Sequence, residues 1–343
     1  HRRFMAPKII VEQFLGSVEI LSITPIENGL INHTFLVETE SGKFILQQIN
    51  TLIFKNPNAI QNNHLKINYV LEQSEYSRKT VKLIPTLSQD LLFEKNNEAW
   101  RMLEYLEDSV TFLKPSSTEI AFEATKCLSE FYKIINQEQI ILEETLSDFI
   151  NFEKRVIDFK TALIQETERK KTAENEINFI LEHLSLPNRW VELEQQDLLP
   201  LRVIHADPKI SNILFDKDNK AIAVIDLDTL MQGTILYDFG EMVRSYTNLA
   251  NEDDGSAEDN FNSTTYESIK EGFLFYLKHM LTPVELANLD YAGQLVTYIQ
   301  AIRFLTDYLK NDVYYSTKYE HHNLDRTKNQ INLLKGLQIF LQH

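Results

Sequence analysis

Cysteine is almost missing from this chain: Cys127 is the single one among 343 residues. No intrachain disulfide can form, which fits a reducing compartment. Positive charge is also scarce. Thirty-four Lys and Arg stand against 50 Asp and Glu, a formal net charge of −16 at pH 7. Neither nucleic-acid backbones nor anionic membrane surfaces attract such a chain. No apolar run approaches the roughly 18 residues that span a bilayer, and the first residues form no signal-like apolar region. A cytoplasmic location is expected. Internal repeats are lacking too. The residues are 43% hydrophobic, ample for a core, and the length suits two lobes.

Chemistry concentrates between Leu201 and Asp238. Moving a phosphoryl group requires a carboxylate to orient or deprotonate the attacking hydroxyl, and oxygen ligands to hold Mg²⁺ against a polyphosphate. His205-Ala206-Asp207 and, five residues on, Asn212 supply both kinds of group. Val203 and Ile204 read as the end of a short strand, with Asp207 projecting from the turn as the base and Asn212 reaching a metal. Asp216 to Lys220 is a polar turn, and Ala221 to Ile225 an apolar, β-branched returning strand that delivers Asp226, and Asp228 as a further candidate, to the same metal. An isolated HxD or IDxD string often only caps a turn; it is the order and spacing together that point to phosphoryl transfer. A calcium loop beginning at Asp216 is excluded, since its fifth position is Lys220, its sixth Ala221 rather than Gly, and its twelfth Leu227 rather than Glu.

The first hundred residues read as strands with one helix. Strands are expected over Ile20–Ile26, Thr34–Thr39 and Phe44–Ile49, then over 81–84 and 100–103. Glu27 to Asn32, holding Gly29, is a candidate phosphate-covering loop. Asn56-Pro57 opens a helix over Asn58–Glu72 with an imperfect apolar stripe of Ile60, Leu65, Ile67 and Val70. Beyond Glu104-Tyr105-Leu106 the chain turns helical. Ser116-x-x-Glu119 is a plausible capping box before the stripe Ile120, Ala124, Cys127, Leu128, Phe131, Ile135. Long charged helices follow over 147–186, with Gln165–Glu176 as a solvated face. An acidic loop is expected over 251–260, and helices close the chain. The domain reading is residues 1–103 as a strand-rich part and 108–343 as a helical part joined through 104–107, which, by the kinase resemblance given next, would be a nucleotide-binding lobe, a helical lobe and the hinge between them.

The pattern HxDxxxxN followed by an apolar strand ending in Asp resembles the kinase catalytic loop and its metal-binding Asp. His205-Ala-Asp207-Pro-Lys-Ile-Ser-Asn212 lacks the Arg of the protein-kinase loop, and Ile225-Asp226-Leu227-Asp228 stands where those enzymes carry DFG. Both features are similar to the aminoglycoside phosphotransferase and choline kinase superfamily. Tyr237-Asp238-Phe239-Gly240 falls where that superfamily has a structural Asp. Further strings resemble the N-acetylhexosamine 1-kinases: Gly29-Leu-Ile-Asn32-His33-Thr34-Phe35, Phe44-Ile-Leu-Gln47-Gln48-Ile-Asn50, and Ile302-Arg303-Phe304-Leu305-Thr306-Asp307-Tyr308-Leu309. Asp312-Val-Tyr314-Tyr315 and His322-Asn323-Leu324 belong with them.

The resemblance implies an α+β, protein-kinase-like two-lobed fold, with a small antiparallel sheet and a mostly helical second lobe. It implies ATP and Mg²⁺ as cofactors and an N-acetylhexosamine phosphorylated on its anomeric hydroxyl. Asp207 would be the base, His205 a brace, Lys209 a partner for the transferring phosphoryl oxygens, and Asn212, Asp226 and Asp228 the metal group. Gly29, Asn32, Gln47, Gln48 and the hinge residues Glu104, Tyr105 and Leu106 would meet the nucleotide. His33, Arg303, Asp307, Tyr315 and His322 would meet the sugar, and Asp238 would anchor the segment after the metal site. One departure is plain: Gln47-Gln48 stands where many kinases place a phosphate-binding Lys, with Lys43 and Lys55 as candidate replacements. A salt bridge between Arg303 and Asp307, four residues apart, is the competing reading of that pair. A kinase for another small alcohol, such as an amino alcohol, and a nucleotide-binding pseudokinase remain alternatives, and the oligomeric state is open.

Overall fold

In a computed structural model of the chain, residues 6–27 and 31–342 are described. The chain opens with α1 (Pro7–Leu15), where Pro7 occupies the first turn, needing no backbone donor there. A sheet follows: β1 (Ile20–Ile26), β2 (His33–Thr39), β3 (Gly42–Ile49), then α2 (Pro57–Glu72), β4 (Leu83–Ile84), β5 (Phe93–Lys95) and β6 (Glu98–Glu104). Its order is β1-β2-β3-β6-β4, with β5 paired to β6, and the pairings are antiparallel.

Strand periodicity splits this sheet into two chemically different faces. Leu46 lies opposite Met102, and both are fully buried with Val37 and Trp100 against Ile10, Val11 and Phe14 of α1. One residue along, Thr34 pairs with Gln47 and Gln47 with Arg101. The second face therefore carries a polar row across three strands.

Asn56 caps α2 by accepting from Ala59 N, as Asn56-Pro57 suggests. The imperfect stripe has a physical cause: α2 buries polar residues as well as apolar ones, while Leu65 is exposed. Gln61 donates to Leu91 O, Asn63 to Glu143 O, and Asn68 to Val81 O. Loop backbones, which need donors, are satisfied by the helix side chains.

The remaining elements are α3 (Thr118–Ile135), α4 (Phe152–Ala162), α5 (Glu168–Thr172), α6 (Glu174–Glu182), α7 (Ser185–Gln195), β7 (Arg202–Ile204), β8 (Ile213–Phe215), β9 (Ala221–Val224), β10 (Met231–Gly233), α8 (Ile235–Tyr246), α9 (Ser263–Leu277), α10 (Pro283–Ala287), α11 (Leu289–Leu309) and α12 (His322–Leu341). The stripe of α3 is buried throughout, Cys127 included, but its cap is Ser117, whose Oγ accepts from Ile120 N, and not Ser116. The charged stretch at 165–176 is less solvated than its composition suggests. Arg169 pairs with Asp312 at 3.0 Å and lies over the Tyr308 ring, and Glu176 is buried.

By compactness the chain forms two units. One comprises the chain up to Leu113, Glu130–Ser147 and Ser211–Gln232; the other holds Lys114–Ser129, Asp148–Ile210 and the chain from Gly233 onward. This differs from a division at 104–107. Bridges between Val110 and Phe215 and between Lys79 and Ala223 tie β8 and β9 to the first unit, and Arg78 adds a hydrogen bond to Ala221 O. Among the described residues, no helix is long and apolar enough to cross a membrane.

Candidate active site

In the second unit, the loop after β7 is held by its backbone. The Asp238 carboxylate, in the first turn of α8, accepts from His205 N at 2.9 Å and from Ala206 N at 3.1 Å. It is fully buried, so these donors replace its lost hydration. Ala206 has φ 69, a left-handed conformation that turns the chain sharply before Asp207. Asp207 N donates to His205 Nδ1 at 3.1 Å, which leaves the ring proton on Nε2 in a neutral imidazole. Tyr246 Oη, at the other end of α8, donates to Pro208 O at 2.7 Å. Burial and then nearby negative charge keep that phenol protonated, well above its usual range. Lys209 Nζ lies 3.7 Å from Asp207 Oδ2. His205 and Asp238 thus both hydrogen-bond the backbone of this loop, and Tyr246 is a further partner that no local motif announces.

In the first unit, Ile225 N donates to Asn212 O at 2.9 Å, joining the turn before β8 to the end of β9. Asn212 and Asp226 line one cavity of about 290 Å³ together with Gln47, Arg101 and the hinge residues Glu104, Tyr105 and Leu106. Asp226 sits at φ 58, a left-handed conformation that Asp tolerates better than most residues. Two oxygen donors suit Mg²⁺, which keeps waters and takes the remaining ligands from a bound polyphosphate. Among the described residues, no cluster of three or more His, Cys, Asp or Glu forms a protein-only metal cage.

Asp228 has a different occupation from the metal-binding one expected. It is 2% exposed, and Arg101 grips both its oxygens, Nη1 to Oδ1 at 2.6 Å and Nη2 to Oδ2 at 2.8 Å. Asn32 Nδ2 adds a third bond to Oδ2 at 2.9 Å, while Asn32 Oδ1 accepts from Asn50 N. Gln47 lines the cavity, but strand alternation puts Gln48 on the other face, opposite His33 and Trp100. Gly29 lies outside the described residues. His33 is exposed at the start of β2. Lys43 is engaged by Glu38 at 3.4 Å and lies over the Tyr105 ring, and Lys55 is exposed. Neither lysine lines the cavity.

His64 of α2 also lines this cavity, donating from Nε2 to Val81 O. Burial, reinforced by the Arg101 charge, holds its pKa down at about 4, so the ring is neutral near pH 7. Sequence reasoning missed Arg101, Gln61 and His64. The available signal was a lone Arg inside Ala99-Trp100-Arg101-Met102-Leu103, where a buried charge must have partners.

A second cavity, of about 180 Å³, lies in the second unit and includes Arg155, Asp158, Arg303, Lys310, Tyr314 and Tyr315 in its lining. Arg303 sits 5.7 Å from both the Tyr314 and Tyr315 ring centres. Asp307 is spent on backbone: it accepts from Tyr314 N and Tyr315 N, and from Asn323 Nδ2. These bonds make Asp307 a loop anchor rather than the sugar contact expected of it or the partner of Arg303 in the competing reading. Arg155 Nε is buried without a hydrogen-bond partner, and burial followed by the Arg303 charge lowers its pKa. His322 serves locally, accepting from Lys318 N and stacking on Tyr319.

The aminoglycoside phosphotransferase from Alicyclobacillus acidocaldarius has a similar structure, with a TM-score of 0.66 at 12% identity, over 100% of this chain and 98% of that one. The choline kinase of Streptococcus pneumoniae gives 0.60 at 17% identity over 97% and 99%. A spectinomycin phosphotransferase, solved with ADP and spectinomycin, gives 0.62 at 13% over 100% of both chains. At these identities the likeness establishes a kinase-like fold of antiparallel sheet and helical remainder. The model of the phosphotransferase enzyme family matches residues 22–271, from the first strand through the His205–Asp238 segment. On that match, the chain belongs to the phosphotransferase enzyme family.

Proposed function

We propose that this phosphotransferase uses Mg·ATP to phosphorylate a small-molecule alcohol, and that the alcohol is the anomeric hydroxyl of an N-acetylhexosamine. The observation that carries the kinase reading is the first-unit cavity, where Asn212 and Asp226 share walls with Glu104, Tyr105 and Leu106. One set of residues suits a metal-bound polyphosphate and the other a base edge. The ADP held by the similar spectinomycin phosphotransferase supports the nucleotide assignment. Bound Mg²⁺ would neutralise charge on the phosphates. Asp207 accepts the hydroxyl proton as the sugar oxygen bonds to the γ-phosphorus and the bond to ADP breaks. His205 and Asp238 hold Asp207 in place.

The sugar assignment rests on the family resemblance and on the second-unit cavity. Tyr314 and Tyr315 offer ring faces, and Arg303 and Thr306 offer hydrogen bonds. Arg155, Arg303 and Lys310 bring three cations there, against Asp158 and an Asp307 already engaged. A cationic substrate, such as choline or an aminoglycoside, meets repulsion in that setting. ADP release measured over N-acetylhexosamines, amino alcohols and aminoglycosides tests the reading. Turnover is expected with the N-acetylhexosamines; turnover confined to cationic alcohols would remove the sugar assignment and leave the kinase chemistry.

A further inference from the structure

We propose that Arg101 is the cation that grips the nucleotide phosphates, taking over from the strand lysine of protein kinases, and that Gln47 and Gln61 aim it. The inference deepens the kinase reading and rests on it. In protein kinases a lysine on the third strand binds phosphates and pairs with a glutamate on the following helix. Here β3 offers Gln47 and α2 offers Gln61, and neither can carry charge. Both amides turn their oxygens to the same guanidinium: Arg101 Nε donates to Gln47 Oε1 at 2.8 Å, and Nη1 to Gln61 Oε1 at 3.2 Å. Each amide is oriented by a second bond from its nitrogen, Gln47 to Thr34 Oγ1 and Gln61 to Leu91 O.

The donor count then decides between a grip and a plug. A guanidinium has five N–H groups. Gln47, Gln61 and the two Asp228 oxygens use four of them. The fifth, on Nη2, has no partner among the described residues, and Arg101 lines the cavity that Asn212 and Asp226 also line. Arg101 is 2% exposed yet forms part of the cavity wall, so its remaining N–H is the group through which it would meet a phosphate. Asp228 plays the part of the kinase glutamate, countering the charge from behind, and the two neutral glutamines orient the cation without cancelling it.

The test compares ligands with and without phosphates. Mg·ATP and adenosine affinities are measured by calorimetry for the wild type, Arg101→Met, the double variant Arg101→Met/Asp228→Asn, and the rescue variant Arg101→Met/Gln47→Lys. Loss of a charged hydrogen bond predicts about a ten- to hundredfold weaker ATP affinity in Arg101→Met, with adenosine affinity kept within about twofold. If Arg101→Met fails to fold around the orphaned Asp228, the Asp228→Asn double variant removes that charge and should show the same split. Gln47→Lys, returning a cation to β3, should recover most of the ATP affinity. Equal losses for ATP and adenosine in the soluble variants, or an unchanged ATP affinity, would overturn the proposal. A wild-type protein that binds neither ligand would overturn the kinase reading beneath it.

Discussion

In the proposed mechanism Asp207 is the general base, and the main chain of its loop is held at several points. Asp238, His205 and Tyr246 between them engage the backbone of residues 205 to 208. Asp207→Asn should therefore keep the fold and nucleotide affinity while turnover falls about 10²-fold or more; near-normal turnover would remove Asp207 from the mechanism. Asp226 and Asp228, two residues apart, should separate by phenotype. In the proposed mechanism Asp226→Ala loses a metal donor, and activity should vanish with a smaller loss of stability than Asp228→Ala gives. Asp228→Ala strands the buried Arg101 and should cost about 3–5 kcal/mol of stability, read by urea unfolding. Similar stability losses in both variants would contradict the division of roles drawn here. The HxDxxxxN spacing and the strand after it single out Asp207, Asn212 and Asp226 in the sequence, and Asn212 and Asp226 do line one cavity. The pairing of Asp228 is not legible in the sequence, because its partner, Arg101, lies 127 residues away in the chain, and long-range pairing leaves no local trace.

At the scale of elements, α8 joins the loop clamp to the helical core. Its Tyr237-Asp238-Phe239-Gly240 string resembles a DFG yet is helical, with Asp238 turned to the His205 loop and Gly240 set against α11. A Cβ at Gly240 would come 2.4 Å from Val296 Cγ2 and 2.5 Å from Ala292 O. Gly240→Ala should destabilise by about 1–3 kcal/mol, visible as a lower melting temperature; an unchanged transition would show that α8 and α11 are not packed at this distance. Much of the element order was readable. β1 matches its expected range, β3 begins two residues earlier at Gly42, and the Asn56-Pro57 cap of α2 is present. α1 and β5 escaped notice because each is short. β5 has three residues, below the length at which alternation can be recognised. The composition of 147–186 predicts helix, but the breaks between α4, α5, α6 and α7 follow caps such as Thr167 rather than changes in composition.

At the scale of the whole molecule, acid stability should report the buried polar interior. His64 titrates at about 4 in the folded protein against 6.5 for an unperturbed histidine, because burial and then Arg101 oppose its charge while Val81 O and Asp228 favour it. A depressed folded value means the unfolded chain binds the extra proton between those pH values. Stability from this group is thus complete above pH 6.5 and is lost as pH falls toward 4, by about 3 kcal/mol over the window. His64→Gln, which can still donate to Val81 O, should flatten the decline in urea unfolding free energy between pH 6.5 and 4. Parallel curves for variant and wild type would contradict the assignment. The net charge of −16 adds its own pH dependence, which the comparison cancels.

The central claim is the transfer itself, and phosphorus NMR of the product tests it most directly. Purified protein incubated with Mg·ATP and N-acetylglucosamine or N-acetylgalactosamine should yield ADP and a phosphorus resonance coupled to the anomeric proton, absent with Asp207→Asn. Phosphate on C6, or no sugar phosphate while a cationic alcohol is phosphorylated efficiently, would contradict the account.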